Sequence, residues 1–260
     1  MARTYAGYLE LDELLKLQRP LSEGPEHDEL LFIVVHQVYE LWFKAILHEL
    51  DHLQALLDGD ALPPALHTLK RVLTILKVLV SQLDVLETMT PLDFLSFRDR
   101  LESGSGFQSH QFRALEFLLG IKSGRAVERF EPGTAARADL DSRYRRPTLW
   151  DTFLHYLARA GHSIPQDVLH RDVTAPVQAS RSVQEALIGI YRTSPLLVQL
   201  CERLVDLDEG IQEWRYRHLK MVQRTIGTKP GTGGSAGAEY LQGTLLRPVF
   251  PDLWAIRTDF

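Results

Sequence analysis

Two histidines in this chain sit among apolar residues rather than on wet faces. His36 lies one turn after Phe32 and one turn before Tyr39, and His218 lies one turn after Trp214 and four residues before Val222. Side chains three or four residues apart share a helix face, so each imidazole would carry an aromatic neighbour. A histidine so placed is commonly a hydrogen-bonded core residue. Two of them on separate helices of a bundle are also the arrangement that can hold a metal or a haem between helices, and spacing alone does not choose. Arg98, after Phe94 and Phe97, offers a guanidinium fork that suits a carboxylate. Beside Asp99 and Arg100 it reads as readily as a solvated surface charge.

Two further patterns invite chemistry. His48-Glu49-Leu50-Asp51-His52 matches HExxH, which on a helix aims two imidazoles at one zinc ion and leaves a glutamate to activate water. No HxxGxxH follows to supply a third ligand, and bundle packing accounts for Leu50 and Leu53. The stretch Gly231-Thr-Gly233-Gly-Ser-Ala236 fits GxGxxA, but a dinucleotide fingerprint needs a preceding strand, and a long helix stands there instead. What remains is a flexible surface loop, or a loop that folds over a small molecule with backbone N–H groups and Thr232 as donors.

The elements that must position these residues are helices. Apolar residues recur at three- and four-residue spacing, and alternating runs are nearly absent, so the fold class is all-α, a helical bundle. The spacing predicts a helix from about His27 to Leu57, apolar on most sides, with Leu30, Val34, Val38, Leu41, Ala45 and His52 along one stripe and Phe32, His36, Phe43 and Leu50 along another. A second is expected from Ala65 to Thr88. Thr90-Pro91 with Asp93 starts a short helix carrying Phe94, Phe97 and Arg98. Phe107 to Leu119 reads as a helix closed by Gly120, Glu131 to Pro147 as a loop-dominated connection, and Thr148 to Ala160 as a capped helix. Ser182 to Ile226 reads as two helices divided near Ser194-Pro195.

Composition narrows the class. The chain has 260 residues, 45% hydrophobic and 24% charged, enough for one globular domain spanning residues 1–260, and its net charge of −5 gives no footprint for nucleic acid. A single cysteine, Cys201, excludes an internal disulfide and a CxxCH haem attachment, and fits a reducing, cytoplasmic setting. The N-terminal stretch carries acidic residues and no signal-peptide core, and no unbroken run of about 18 apolar residues predicts a membrane span.

Several ordered motifs then carry a likeness. Tyr5-Ala-Gly-Tyr-Leu9, Glu29-Leu-Leu-Phe-Ile-Val-Val-His-Gln37, Glu40-Leu-Trp-Phe-Lys44, Phe97-Arg-Asp99, Ser105-Gly-Phe-Gln-Ser109, Trp214-Arg-Tyr-Arg-His218 and Gly231-Thr-Gly-Gly-Ser235 resemble the tryptophan 2,3-dioxygenase family, in the family's order and over essentially the whole chain. The resemblance implies a non-covalent haem b with His218 as its axial iron ligand and Ser105 near a propionate. It implies L-tryptophan and O2 as substrates, with His36 and Phe32 by the indole, Arg98 on the carboxylate, and Thr232 and Gly231 in a loop that closes on the amino-acid end. Phe94 stands at an aromatic wall where some relatives carry tyrosine. Residues 1–20, with Tyr5, Tyr8 and Leu9, would reach a neighbouring subunit of a homotetramer. The rivals are a haem monooxygenase on an indole or other aromatic, a zinc hydrolase using His48, Glu49 and His52, and a helical haem-binding protein without turnover.

Overall fold

The computed structural model describes residues 4–24, 26–102, 104–232 and 237–260. In chain order its helices are α1 (Tyr5–Leu9), α2 (Leu11–Leu14), α3 (Glu29–Asp58), α4 (Leu62–Leu86), α5 (Pro91–Phe97), α6 (His110–Leu118) and α7 (Gly124–Glu128). There follow α8 (Ala135–Tyr144), α9 (Leu149–Arg159), α10 (Gln166–Leu169), α11 (Arg181–Thr193), α12 (Pro195–Ile226), α13 (Ala238–Gln242) and α14 (Pro251–Ala255). No strand occurs among the described residues, so the all-α expectation holds.

The scaffold is α4 packed between the two longest helices, α3 and α12, with α6 and α9 also against α3 and α11 against α12. Burial selects the face of α3: Val35, Tyr39, Phe43, Ile46, Leu47, Leu50, Leu53 and Leu57 point into the core. The stripe through Phe43 and Leu50 therefore turns inward, whereas Leu30, Val34 and Leu41 are 47%, 38% and 52% exposed and His52 is exposed. Apolar content could not choose between the faces; two polar cross-links to α4 do. Tyr39 Oη donates to the Leu79 carbonyl at 2.7 Å and Gln82 Nε2 to the Val35 carbonyl at 3.1 Å. By length and composition alone α3 could cross a membrane. Its inner stripe is instead packed in the bundle, and its outer stripe is left uncovered in the single chain.

Local signals set most of the boundaries. Thr90 and Thr148 each close a capping box, with Asp93 and Asp151 respectively, at the starts of α5 and α9. Pro195 divides α11 from α12 as expected, because it opens a helix readily and cannot continue one. α4 starts earlier than its periodicity suggested, since two prolines are accommodated in the first turn. The helix expected from Phe107 divides into a 3-10 turn, Gly106–Gln108, and α6, whose N-cap Ser109 accepts from Phe112 N–H.

One sequence expectation is corrected. The span from Glu131 to Pro147 is not loop-dominated, because it contains α8. That helix is too polar to show an apolar stripe, and it is held by its one fully buried residue, Leu140, and by ions. Arg143 grips Asp51 of α3 with both nitrogens, at 3.1 and 2.9 Å.

The start of the C-terminal segment is fastened to α12 by one carboxylate. Asp208 of α12 is fully buried; its Oδ2 accepts from Val249 N–H at 2.8 Å, Phe250 N–H at 3.0 Å and Trp254 Nε1–H at 2.9 Å. Asp208→Ala would orphan all three donors, two of them fully buried backbone groups, and should lower unfolding stability by about 3 kcal/mol or more. Urea unfolding with an unchanged midpoint would count against this clamp.

Candidate active site

A cavity of about 260 Å3 opens between α3, α5, α6, α12 and the loops after α5 and α12, and it gathers most of the residues the sequence singled out. Phe32, His36, Phe94, Arg98, Ser105, His218, Gly231 and Thr232 all line it. They come from segments nearly two hundred residues apart.

α3 contributes Phe32 and His36, one turn apart, with ring centroids 4.0 Å from each other. Phe94 and Phe97 of α5 pack edge to face at 5.5 Å and meet Phe32 at 5.8 and 5.5 Å, so the wall beside His36 is wholly aromatic. His36 Nδ1 lies 2.7 Å from the Phe32 carbonyl. A carbonyl can only accept, so Nδ1 carries the proton and Nε2 presents a lone pair. Burial holds the His36 pKa below the usual histidine value, although the Phe32 carbonyl and the Glu40 charge pull the other way. The ring is partly exposed, but to the cavity, and at neutral pH it is an uncharged acceptor.

α12 contributes His218. Trp214, one turn earlier, stacks on it nearly parallel, 5.1 Å between centroids and 7° between planes. Phe112, Phe43 and Tyr39 pack around Trp214 at 4.9, 6.1 and 6.3 Å, which fixes the stack. Burial, reinforced by the nearby His36, pushes the His218 pKa down to about 4. Neither ring nitrogen has a hydrogen-bond partner among the described residues. A neutral, aromatic-braced imidazole with a free lone pair on a cavity wall has the donor chemistry of a metal ligand. Trp214 Nε1 is buried without a hydrogen-bond partner among the described residues.

The described ends of the segment between α12 and α13 meet the cavity at Gly231, Thr232 and Gly237, beside Arg98. Arg98 Nη2 donates to the Pro230 carbonyl at 2.7 Å, and Thr232 Oγ1 donates to the Gly104 carbonyl at 2.6 Å. Gly237 returns the loop with φ +58°, where an added Cβ would stand 2.8 Å from the Lys229 carbonyl, so only glycine fits. Gly233, Ser235 and Ala236 of the GxGxxA match lie outside the described residues. Ser105 accepts from Phe107 N–H at 3.3 Å and caps the 3-10 turn before α6.

Other lining residues were not singled out as site residues by their motifs. Glu116 of α6 forms an ion pair with Arg113 and a second, at 3.0 Å, with Arg215 of α12. Arg215 sits inside the Trp214–His218 motif, yet nothing in the motif tells which way it points. Glu40, one turn beyond His36, accepts from Gln111 Nε2 at 2.8 Å.

Two groups of expected residues lie elsewhere. Tyr5, Tyr8 and Leu9 on α1 are 77%, 70% and 41% exposed and do not line this chain's own cavity. In the HExxH pattern His48 and His52 are exposed, Glu49 is held by Arg71 at 2.8 Å, and no group of three metal-ligating side chains occurs among the described residues. The zinc hydrolase reading is thereby set aside: the spacing reflects an outward helix face.

Fold and site together define a helical-bundle protein that encloses a cavity between aromatic walls and two uncharged imidazoles. The family model described as Tryptophan 2,3-dioxygenase matches residues 1–146 and 187–260, leaving out only a span that includes α9 and α10. Relatives named Tryptophan 2,3-dioxygenase include one from Herpetosiphon aurantiacus, 59% identical over 99% of this chain and 98% of its own length. Another, from Anaeromyxobacter sp., is 57% identical over 98% and 96%, and one from Caulobacter vibrioides is 48% identical over 98% and 97%. The chain belongs to the tryptophan 2,3-dioxygenase family and is an oxidoreductase.

Proposed function

We propose that the cavity holds haem b and that the chain, as one helical domain, inserts both atoms of O2 into the indole C2–C3 bond of L-tryptophan, giving N-formyl-L-kynurenine. The observation that carries this reading is the free lone pair of His218 lining the same cavity as an uncharged, acceptor-ready His36 and the guanidinium of Arg98. The residues fit a haem: His218 would supply a nitrogen ligand to its iron, and Tyr39, Phe43, Leu83, Phe112, Trp214 and Val222 would supply an apolar lining. Haem, when bound, supplies the ferrous iron that binds and activates dioxygen.

The chain's own part is orientation. Arg98 and Thr232, with Gly231 alongside, receive the carboxylate and ammonium end of tryptophan, exchanging their present carbonyl contacts for the substrate. Phe32 and Phe94 flank the indole. His36 is the catalytic neighbour: its Nε2 accepts the indole N–H and fixes the ring's direction. It does not act as an obligatory base, because indole N–H is a very weak acid and burial makes this imidazole a weaker base than usual. Ser105, on the cavity lining, would lie near a haem propionate.

The exposed α1, with Tyr5, Tyr8 and Leu9, and the uncovered stripe of α3 support a homotetramer in which residues 1–20 complete a neighbour's site. The lone, buried Cys201, its thiol pushed up to about 12 by burial, fits a cytoplasmic enzyme.

The deciding experiment supplies the haem-loaded, reduced protein with L-tryptophan and labelled O2. Two labelled atoms per product molecule are expected; one would mean a monooxygenase, and none would overturn the oxygenation reading.

A further inference from the structure

His48 and His52 stand one turn apart on the outer side of α3, both exposed and neither with a hydrogen-bond or ion-pair partner among the described residues. Residues four apart on a helix share a face, with about 5–6 Å between their Cβ atoms. That span suits two imidazole nitrogens meeting one metal ion at about 2.0–2.1 Å each. The backbone beneath them is already fixed. Ile46, Leu50 and Leu53 are fully buried and Leu47 is buried, so the inner face of this turn is packed and a bound ion would have no helix to order. The flanking carboxylates are turned away from the pair. Glu49 lies toward α4, where Arg71 Nη1 donates to both its oxygens at 3.0 and 2.8 Å. Asp51 lies toward α8, in the two-pronged grip of Arg143. Neither joins the two imidazoles in a group of three ligands, so the surface offers two nitrogen donors and no carboxylate.

Such a donor set discriminates among cations. Mg2+ and Ca2+ take oxygen ligands, whereas imidazole suits the first-row transition cations and holds Cu2+ most tightly of them. The pair is also not a hydrolytic centre, because the glutamate that would activate water is engaged by Arg71. We propose that His48 and His52 chelate one divalent first-row transition cation on the surface of α3, Cu2+ in preference to Ni2+ or Zn2+, with water in the remaining positions. The site is separate from the cavity: neither histidine lines it, and a cation there needs nothing from the cavity's own ligand.

The test is calorimetric titration of the full-length, haem-loaded ferric protein, free of any added histidine tag, with Cu2+, Ni2+, Zn2+ and Mg2+ in turn. One equivalent of Cu2+ per chain is expected to bind most tightly, and Mg2+ should give no saturable heat. His48→Gln or His52→Gln leaves a single imidazole. Each should weaken Cu2+ binding by a factor on the order of a hundred, because coordination by the second ring is intramolecular. Both are surface substitutions, and an unchanged haem absorption spectrum checks that the cavity is intact. Adding Lys44→His to His52→Gln rebuilds the pair one turn earlier on the same face, Lys44 being exposed, and should recover most of the affinity. Electron paramagnetic resonance of the bound Cu2+ should show two nitrogen ligands in the unaltered protein and one in either single variant. Absence of saturable binding by any transition cation would overturn the site, as would Cu2+ affinity unchanged in His48→Gln. A shifted pair that fails to restore binding would also overturn it, since the metal would then be held by something other than the helical spacing of two histidines.

Discussion

His218→Ala is expected to give a folded helical protein whose haem absorption is lost or strongly altered and whose turnover is abolished. The loss should exceed the roughly 10–100-fold that follows removal of an outer partner of a metal ligand, because the ligand itself is gone. Trp214 would still close the wall, so a cavity the size of an imidazole remains, and free imidazole added at millimolar concentration should restore part of the ligated spectrum. That rescue separates a ligand from a packing residue. A variant with unaltered haem absorption would remove His218 from the role given to it.

The second large effect falls on substrate recognition. Arg98→Leu removes the guanidinium that stands by Gly231 and Thr232, and a carboxylate brought there would lose its charged partner. Such losses cost about 2–5 kcal/mol, so tryptophan affinity should fall by a factor of about 30 to several thousand. Tryptamine, which has no carboxylate, should bind the variant and the unaltered protein alike, apart from any change in the loop that Arg98 holds through the Pro230 carbonyl. Arg98→Lys should recover charge but not the fork, and so only part of the affinity. Unchanged tryptophan affinity in Arg98→Leu, measured by titration calorimetry, would refute the assignment.

How far the sequence carried these conclusions depended on the range of the interaction. Features written within four residues were legible: the Thr90 and Thr148 capping boxes, the Ser194-Pro195 break, and the aromatic neighbours of His36 and His218. The convergence of Phe32, Arg98, Ser105, His218 and Thr232 on one cavity was legible only through ordered motifs, because no local rule places residue 36 near residue 218. α8 was missed because its anchors are salt bridges to another helix rather than an apolar stripe. The inward face of α3 was undetermined for the opposite reason, apolar residues on nearly every side. The pairing of Glu116 with Arg215 belongs to neither residue's neighbourhood and became visible only with α6 and α12 side by side.

The Asp208 clamp bears on more than the end of the chain. By holding residues 249 and 250 against the middle of α12, it turns the chain between into a closed ring, and Gly231, Thr232 and Gly237 of the cavity lining belong to it. A ring has far fewer conformations than a free tail of the same length, and the entropy of bringing its ends together has been settled in advance of any ligand. Thr232, on that ring, is thereby kept within a short span of Arg98, whose guanidinium already holds the Pro230 carbonyl. One buried carboxylate thus limits how far the chain that leaves the end of α12 can stray before it returns to that helix.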